Sequence, residues 1–219
     1  MNKAVIFDLD GTLLDSLPDI AYNVNLTLKH FNFPTLSTDE IKSNIGNGAK
    51  RLVKDCIKDN ISEEQLNEYL SFYNQNYTKN PCVYSKPFDN VIEMLTLLKN
   101  DGFKLAILTN KPQQTTDPIY QKFFSKFNFD FVIGQNENVK CKPDKTTTLN
   151  ILNSLNVNSK NAFFVGDGET DVQTAINSNI TSISVLWGYR NKEQLSNAGA
   201  NIFASSPIEV YNIISNFNK

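Results

Sequence analysis

Short apolar runs alternate with helix-length stretches over most of this chain. Residues 4–7, 105–108, 131–133, 162–165 and 183–185 are almost uninterrupted in apolar character, as strands buried on both faces require. A sixth run at 202–204 adds a further candidate strand. Between them, apolar positions recur at helical spacing over 91–100, 115–127, 146–155, 172–177 and 208–217. Strands alternating with helices predict an α/β fold: a Rossmann-like, doubly wound parallel sheet.

From residue 15 to 82 the texture changes. Strand-like runs vanish, and helical periods occupy 20–31, 38–44, 49–58 and 63–77. The segment enters just after the first strand and leaves near Pro81 and Pro87, where proline restricts the backbone to linker-like conformations. The expected organisation is therefore interleaved: a core formed by 1–14 and 83–219, interrupted by a helical domain at 15–82.

Composition narrows the function classes. With 219 residues, 40% hydrophobic and 20% charged, the chain can bury a sizeable core. The net charge of -2 and the scattering of Lys and Arg among acids give no stripe for a polyanion, which argues against nucleic acid as a partner. No apolar stretch approaches the roughly 20 residues of a membrane span. The first apolar run is stopped at once by Asp8 and Asp10, too early for an export signal, so a cytoplasmic location is expected. Cys56, Cys82 and Cys141 have no CxxC spacing and read as reduced packing residues. His30, the only histidine, is read as a solvent or packing residue, and Phe123, Phe124, Phe127 and Trp187 as core or domain-contact residues without a ligand.

Chemistry-bearing residues collect where candidate strands end, which is where ligands bind in open parallel sheets. After the first strand comes Asp8-Leu9-Asp10-Gly11-Thr12, two carboxylates that a turn at Gly11 can splay around one reacting centre. An acidic turn is the alternative. Thr109-Asn110-Lys111 follows 105–108; a hydroxyl and free N–H groups there can hold a phosphate oxygen, or simply cap a helix. Lys142-Pro143-Asp144 offers a point charge ahead of a helix, although a lone lysine is usually solvated. Gly166-Asp167-Gly168-Glu169-Thr170-Asp171 follows 162–165 with carboxylates spaced for a magnesium ion, or for a favourable helix start.

The ordered set DxDGT, TN, KP and GDxxxD, each after a strand, resembles the haloacid dehalogenase superfamily over essentially the whole chain. The helical segment resembles that superfamily's C1-type cap. The resemblance implies a magnesium-dependent phosphatase of small phosphate esters. In it, Asp8 would be the nucleophile and Asp10 the general acid and then base. Thr109, Asn110 and Lys142 would hold the phosphoryl group. Asp8 and Asp167 would bind magnesium through side chains and Asp10 through its backbone carbonyl, with Asp171 supporting the metal site directly or through water. Gly168 stands where family members often carry Ser or Thr. Dehalogenases lack an acid two residues after the nucleophile, so Asp10 favours phosphoryl chemistry.

Residues 8–16, 45–49 and 187–189 look most like members that act on a carboxylate-bearing ester. Gly46 and Gly48, ahead of a candidate helix, can present backbone N–H groups to that carboxylate, with Lys50 and Arg51 adding charge. The alternatives are a flexible joint at these glycines, and a nucleotide, sugar phosphate or pyrophosphate as substrate. A phosphosugar mutase fits less well. A phosphate-accepting signalling domain would need neither Asp10 nor the insert, and a silent binding protein would not need every catalytic position filled.

Overall fold

The computed structural model describes residues 2–217. Its main sheet contains β1 (Ala4–Phe7), β4 (Lys104–Pro112), β5 (Phe131–Gln135), β6 (Ala162–Gly166), β7 (Thr181–Val185) and β8 (Phe203–Ala204). The order is β5-β4-β1-β6-β7-β8, and every pairing is parallel. β1 is central because its four side chains are fully buried and leave neither face free for water. Alternation then divides the core in two. Val5, Phe7, Leu105, Ile107, Phe163 and Val165 pack on one face, with α5 (Val91–Asn100) and α10 (Pro207–Asn216) supplying Leu95, Leu98, Val210 and Ile214. Ala4, Ile6, Ala106, Leu108 and Phe164 pack on the other, against Ile151 and Leu152 of α7 (Thr146–Leu155) and Ala175 of α8 (Glu169–Ser178).

The expected strands and the α/β class are borne out, with differences at element ends. The helix expected over 115–127 is α6 (Gln113–Phe123) followed by a 3-10 turn at Ser125–Phe127, broken where fully buried Phe124 turns into the core. The helix expected from 172 begins three residues earlier, at Glu169, since acidic residues favour a first turn. A short helix α9 (Lys192–Asn197) and a small antiparallel pair were not expected. In that pair, β2 (Leu14–Asp15) meets β3 (Lys86–Pro87), so the chain leaving β1 and the chain returning to the sheet run side by side.

Between β2 and β3 lie α1 (Leu17–His30), α2 (Thr38–Ser43), α3 (Ala49–Cys56) and α4 (Glu63–Lys79). These helices have their own apolar cluster, built from residues such as Val24, Leu28, Leu52, Leu66, Tyr69 and Tyr73, separate from the clusters of the sheet. Reciprocal capping boxes at Ser37 with Glu40 and Ser62 with Gln65 fix the starts of α2 and α4, each cap worth about 1 kcal/mol. Buried Asp19 accepts bonds from the Tyr84 N–H at 3.1 Å and the Ser85 N–H at 2.7 Å, tying α1 to the returning chain. His30 stacks on Phe72 at 4.0 Å between ring centres, a packing role as expected. The three cysteines are free thiols, and no helix among the described residues is long and apolar enough to cross a membrane.

Candidate active site

The centre of the sheet delivers its first carboxylate directly. The Asp8 N–H donates to Val165 O at 2.9 Å, so pairing with β6 continues one residue past β1 and fixes where Asp8 emerges. The chain then turns at Gly11, whose φ of +83° is open to glycine without strain. A Cβ there would also lie 2.3 Å from Asp167 Oδ2, so the turn can sit against that carboxylate only without a side chain. The next residue, Thr12, donates from Oγ1 to Asp167 Oδ1 at 2.8 Å. The other oxygen, Oδ2, accepts from the Tyr189 N–H at 2.8 Å. At Gly188 a Cβ would stand 2.2 Å from the Asp167 Cβ, so this loop too approaches only as glycine. Trp187 donates from Nε1 to Thr12 O at 3.1 Å, joining the loop after β7 to the loop after β1.

Lys142 arrives from the long connection after β5. Its Nζ lies 2.8 Å from Asp8 Oδ1 and 2.6 Å from Asp171 Oδ1, and all three side chains are buried. Asn110 holds this lysine by its backbone: the Lys142 N–H donates to Asn110 Oδ1 at 2.8 Å, and Asn110 Nδ2 donates back to Lys142 O at 3.2 Å. The same amide reaches Gly46 O at 3.0 Å, linking the end of β4 to the loop before α3. Asp171, in the first turn of α8, accepts from the Gly168 N–H at 2.9 Å through its second oxygen. With no hydroxyl at position 168, that backbone N–H is the contact Gly168 supplies. Thr109 is buried; its Oγ1 accepts from the Lys111 N–H at 3.3 Å, leaving the hydroxyl proton for another acceptor.

Burial governs the electrostatics. It pushes Asp8 up to about 7, against the pull of Lys142, with Asp171 and Asp10 adding repulsion. Asp167 rises to about 8, first from burial and then from the charges of Asp8 and Asp171. Burial alone would lower Lys142, but Asp171 and Asp8 outweigh it and hold the ammonium charged. One carboxylate oxygen each of Asp8, Asp167 and Asp171 lie within 4.8 Å of one another. A buried, all-oxygen set of three carboxylates with one ammonium, Lys142, against them fits a hard divalent cation such as magnesium.

A cavity of about 50 Å³ lies over these groups, between the strand ends and the helical segment. Asp8, Asp10, Thr109, Asn110, Asp167 and Asp171 line its sheet side, while Gly46, Gly48, Leu52, Tyr73 and Tyr77 line the helical side. Every expected residue of the sheet thus converges on one place, and the two glycines join them.

Lys50 and Arg51 do not. Lys50 pairs with Glu63 and Arg51 with Asp55 at 2.6 Å, on side chains 50% and 62% exposed. The α3 face that carries Ala49, Leu52 and Val53 turns inward, and helical spacing sends these two cations outward. The charge expected from Lys50 and Arg51 on the substrate is corrected accordingly.

Two other cations, Lys111 and Arg190, line the cavity. Lys111 Nζ lies 3.1 Å from both oxygens of Asp10 and donates to the Tyr77 hydroxyl at 2.7 Å. Arg190 pairs with Glu169 at 2.9 Å and donates to the carbonyls of Lys42, Ser43 and Ile45, the last at 2.6 Å. Lys111 stood in the Thr109-Asn110-Lys111 motif, and a lysine following the phosphate-holding pair was the signal available. For Arg190 no local pattern pointed to the site.

A buried nucleophile-type carboxylate, a second acid two residues on and a cation-binding set at the carboxyl end of a parallel sheet define a hydrolase site of the phosphoryl-transfer kind. The chain belongs to the haloacid dehalogenase-like hydrolases, whose family model matches residues 5–185. It is 33% identical over 187 residues to a phosphoglycolate phosphatase of Aquifex aeolicus, covering 85% of this chain and 86% of that one. A phosphoglycolate phosphatase of Colwellia psychrerythraea is 34% identical over 203 residues, covering 90% of each chain. A crystal structure from Haemophilus somnus, described as a predicted phosphoglycolate phosphatase, superposes with a TM-score of 0.89 at 27% identity, over 97% of each chain.

Proposed function

We propose that this chain is a magnesium-dependent phosphatase of small phosphate monoesters, acting through an aspartyl-phosphate on Asp8, with phosphoglycolate as its substrate. One observation carries the reading: Asp8 sits buried at the end of the central strand, its Oδ1 2.8 Å from the Lys142 ammonium and one of its oxygens within 4.8 Å of a carboxylate oxygen of Asp167. The ion pair fixes that carboxylate where it can attack phosphorus. Phosphoglycolate is supported by the names of the relatives. Within this reading, residues 1–14 and 83–219 form the catalytic core and 15–82 the cap that shields the reaction from bulk water.

Asp8 attacks phosphorus, the P–O bond to the organic part breaks, and Asp10 gives its proton to the leaving oxygen. Water, deprotonated by Asp10, then attacks the phosphorus of the acyl phosphate and frees inorganic phosphate and Asp8. Thr109 donates its hydroxyl to a phosphoryl oxygen, and Lys142 supplies positive charge. Asn110 acts by pinning the Lys142 backbone. Magnesium would be held by Asp8, Asp167 and the Asp10 carbonyl. Bound there, it supplies charge that lets a carboxylate approach a phosphate dianion. Asp171 supports the site through Lys142, since one of its oxygens accepts from that ammonium and the other from the Gly168 N–H.

Release of phosphate from a panel of esters, with and without magnesium, tests the reading. Phosphoglycolate turnover that requires magnesium and falls at least about 10⁴-fold in Asp8→Asn is expected. Magnesium-independent release, or release undiminished in the variant, would contradict it.

A further inference from the structure

The geometry points to Lys111, with Tyr77 beside it, as the group that binds the carboxylate of the substrate and so sets the preference for acid-bearing phosphate esters. The inference rests on the phosphatase reading and deepens it.

Lys111 Nζ is enclosed, its side chain 3% exposed, yet it lines the cavity. An ammonium has three N–H donors. A single forked donor accounts for both 3.1 Å contacts to Asp10, and a second goes to Tyr77 at 2.7 Å, which leaves the third for the cavity. The Tyr77 hydroxyl accepts from Lys111, so its own proton is also available to an acceptor there. Burial keeps that phenol protonated, its pKa held well above the usual value. A cation and a hydroxyl side by side match the two oxygens of a carboxylate.

Position selects which carboxylate. Asp10 must come within about 2.6–3.2 Å of the leaving oxygen to protonate it, and Lys111 is 3.1 Å from Asp10. In a phosphate ester of a 2-hydroxy acid, the carboxylate oxygens are only three bonds from that leaving oxygen. Protonation of the leaving group and capture of the carboxylate therefore fall on adjacent groups. Arg190, the other cation lining the cavity, is engaged with Glu169 and three carbonyls of the helical segment. Lys50 and Arg51 face outward.

The test compares kcat/KM on phosphoglycolate with that on hydroxyethyl phosphate, its neutral counterpart, in the wild type, Lys111→Met, Lys111→Arg and Tyr77→Phe. The readout is the ratio between the two esters, which cancels any loss that both share through a displaced Asp10. The ratio is expected to fall on the order of 100-fold in Lys111→Met, to recover in part in Lys111→Arg, and to fall less in Tyr77→Phe. If Lys111→Met does not fold, Lys111→Gln carries the same comparison. A wild-type preference that survives the loss of the lysine charge overturns the role of Lys111 and leaves the phosphoglycolate reading standing. No preference in the wild type overturns both.

Discussion

The two sides of the cavity are built differently. On the sheet side, Asp8, Asp167, Asp171 and Lys142 are buried, and each is held by at least one partner from another loop. On the helical side, the lining is Leu52, Tyr73, Tyr77 and the backbone at Gly46 and Gly48. Charges fixed in a dry place are suited to a reaction that must always run the same way. An apolar wall with few polar groups is suited to sorting substrates, because exchanging its side chains leaves the reacting atoms where they are.

Removing the charge that joins the sheet side gives the largest expected effect in this contrast. Lys142→Met leaves Asp8 and Asp171 buried without their cation; kcat should fall on the order of 10³-fold, and urea denaturation should show a loss of about 3 kcal/mol. A loss confined to KM would mean that Lys142 only collects substrate.

Proton linkage sharpens the same comparison. Asp8 and Asp167 have folded pKa values of about 7 and 8 against ordinary values near 3.8, so the folded metal-free protein keeps protons that the unfolded chain has released. Their contribution to stability is thus complete below the unfolded values and is lost as pH rises through 7 and 8. Without magnesium, the melting temperature should drop on the order of 5 °C between pH 5.5 and 8.5, and saturating magnesium should narrow that gap. A melting temperature that rises over this range in chelator would contradict the buried, mutually repelling carboxylates.

The smallest effect belongs to the outer face of α3. Lys50→Ala with Arg51→Ala should change the phosphoglycolate to hydroxyethyl phosphate ratio by less than about 2-fold, since both side chains are solvated and paired locally. A larger change would return the charge to these residues.

The same division explains what could be read from the sequence. β1, β4, β6 and β7 announce themselves because strands buried on both faces need apolar runs, and the carboxylates follow directly after them. Asp8, Asp10, Thr109, Asn110, Asp167 and Asp171 were legible as candidates for that reason, and Lys142, in the long connection after β5, through the ordered set of motifs. The β2–β3 pair was not: two residues a side, one of them Pro87, carry no periodicity. Lys50 and Arg51 were misplaced because a helix position near the site says nothing of the direction in which it points until Leu52 and Val53 are seen to be buried. The partnership of Lys111 with Tyr77 spans 34 residues between different elements and exists only once α4 is folded over the sheet. Arg190 depends in the same way on α2, about 150 residues earlier in the chain.

The most direct test is to quench the purified enzyme during a single turnover of phosphoglycolate with magnesium and map the peptide containing Asp8 by mass spectrometry. A transient phosphoryl group on Asp8 that forms and decays at rates compatible with phosphate release is expected, and none in Asp8→Asn. Turnover at the full rate with no phosphoryl group on that peptide, or with one on a different residue, would contradict it.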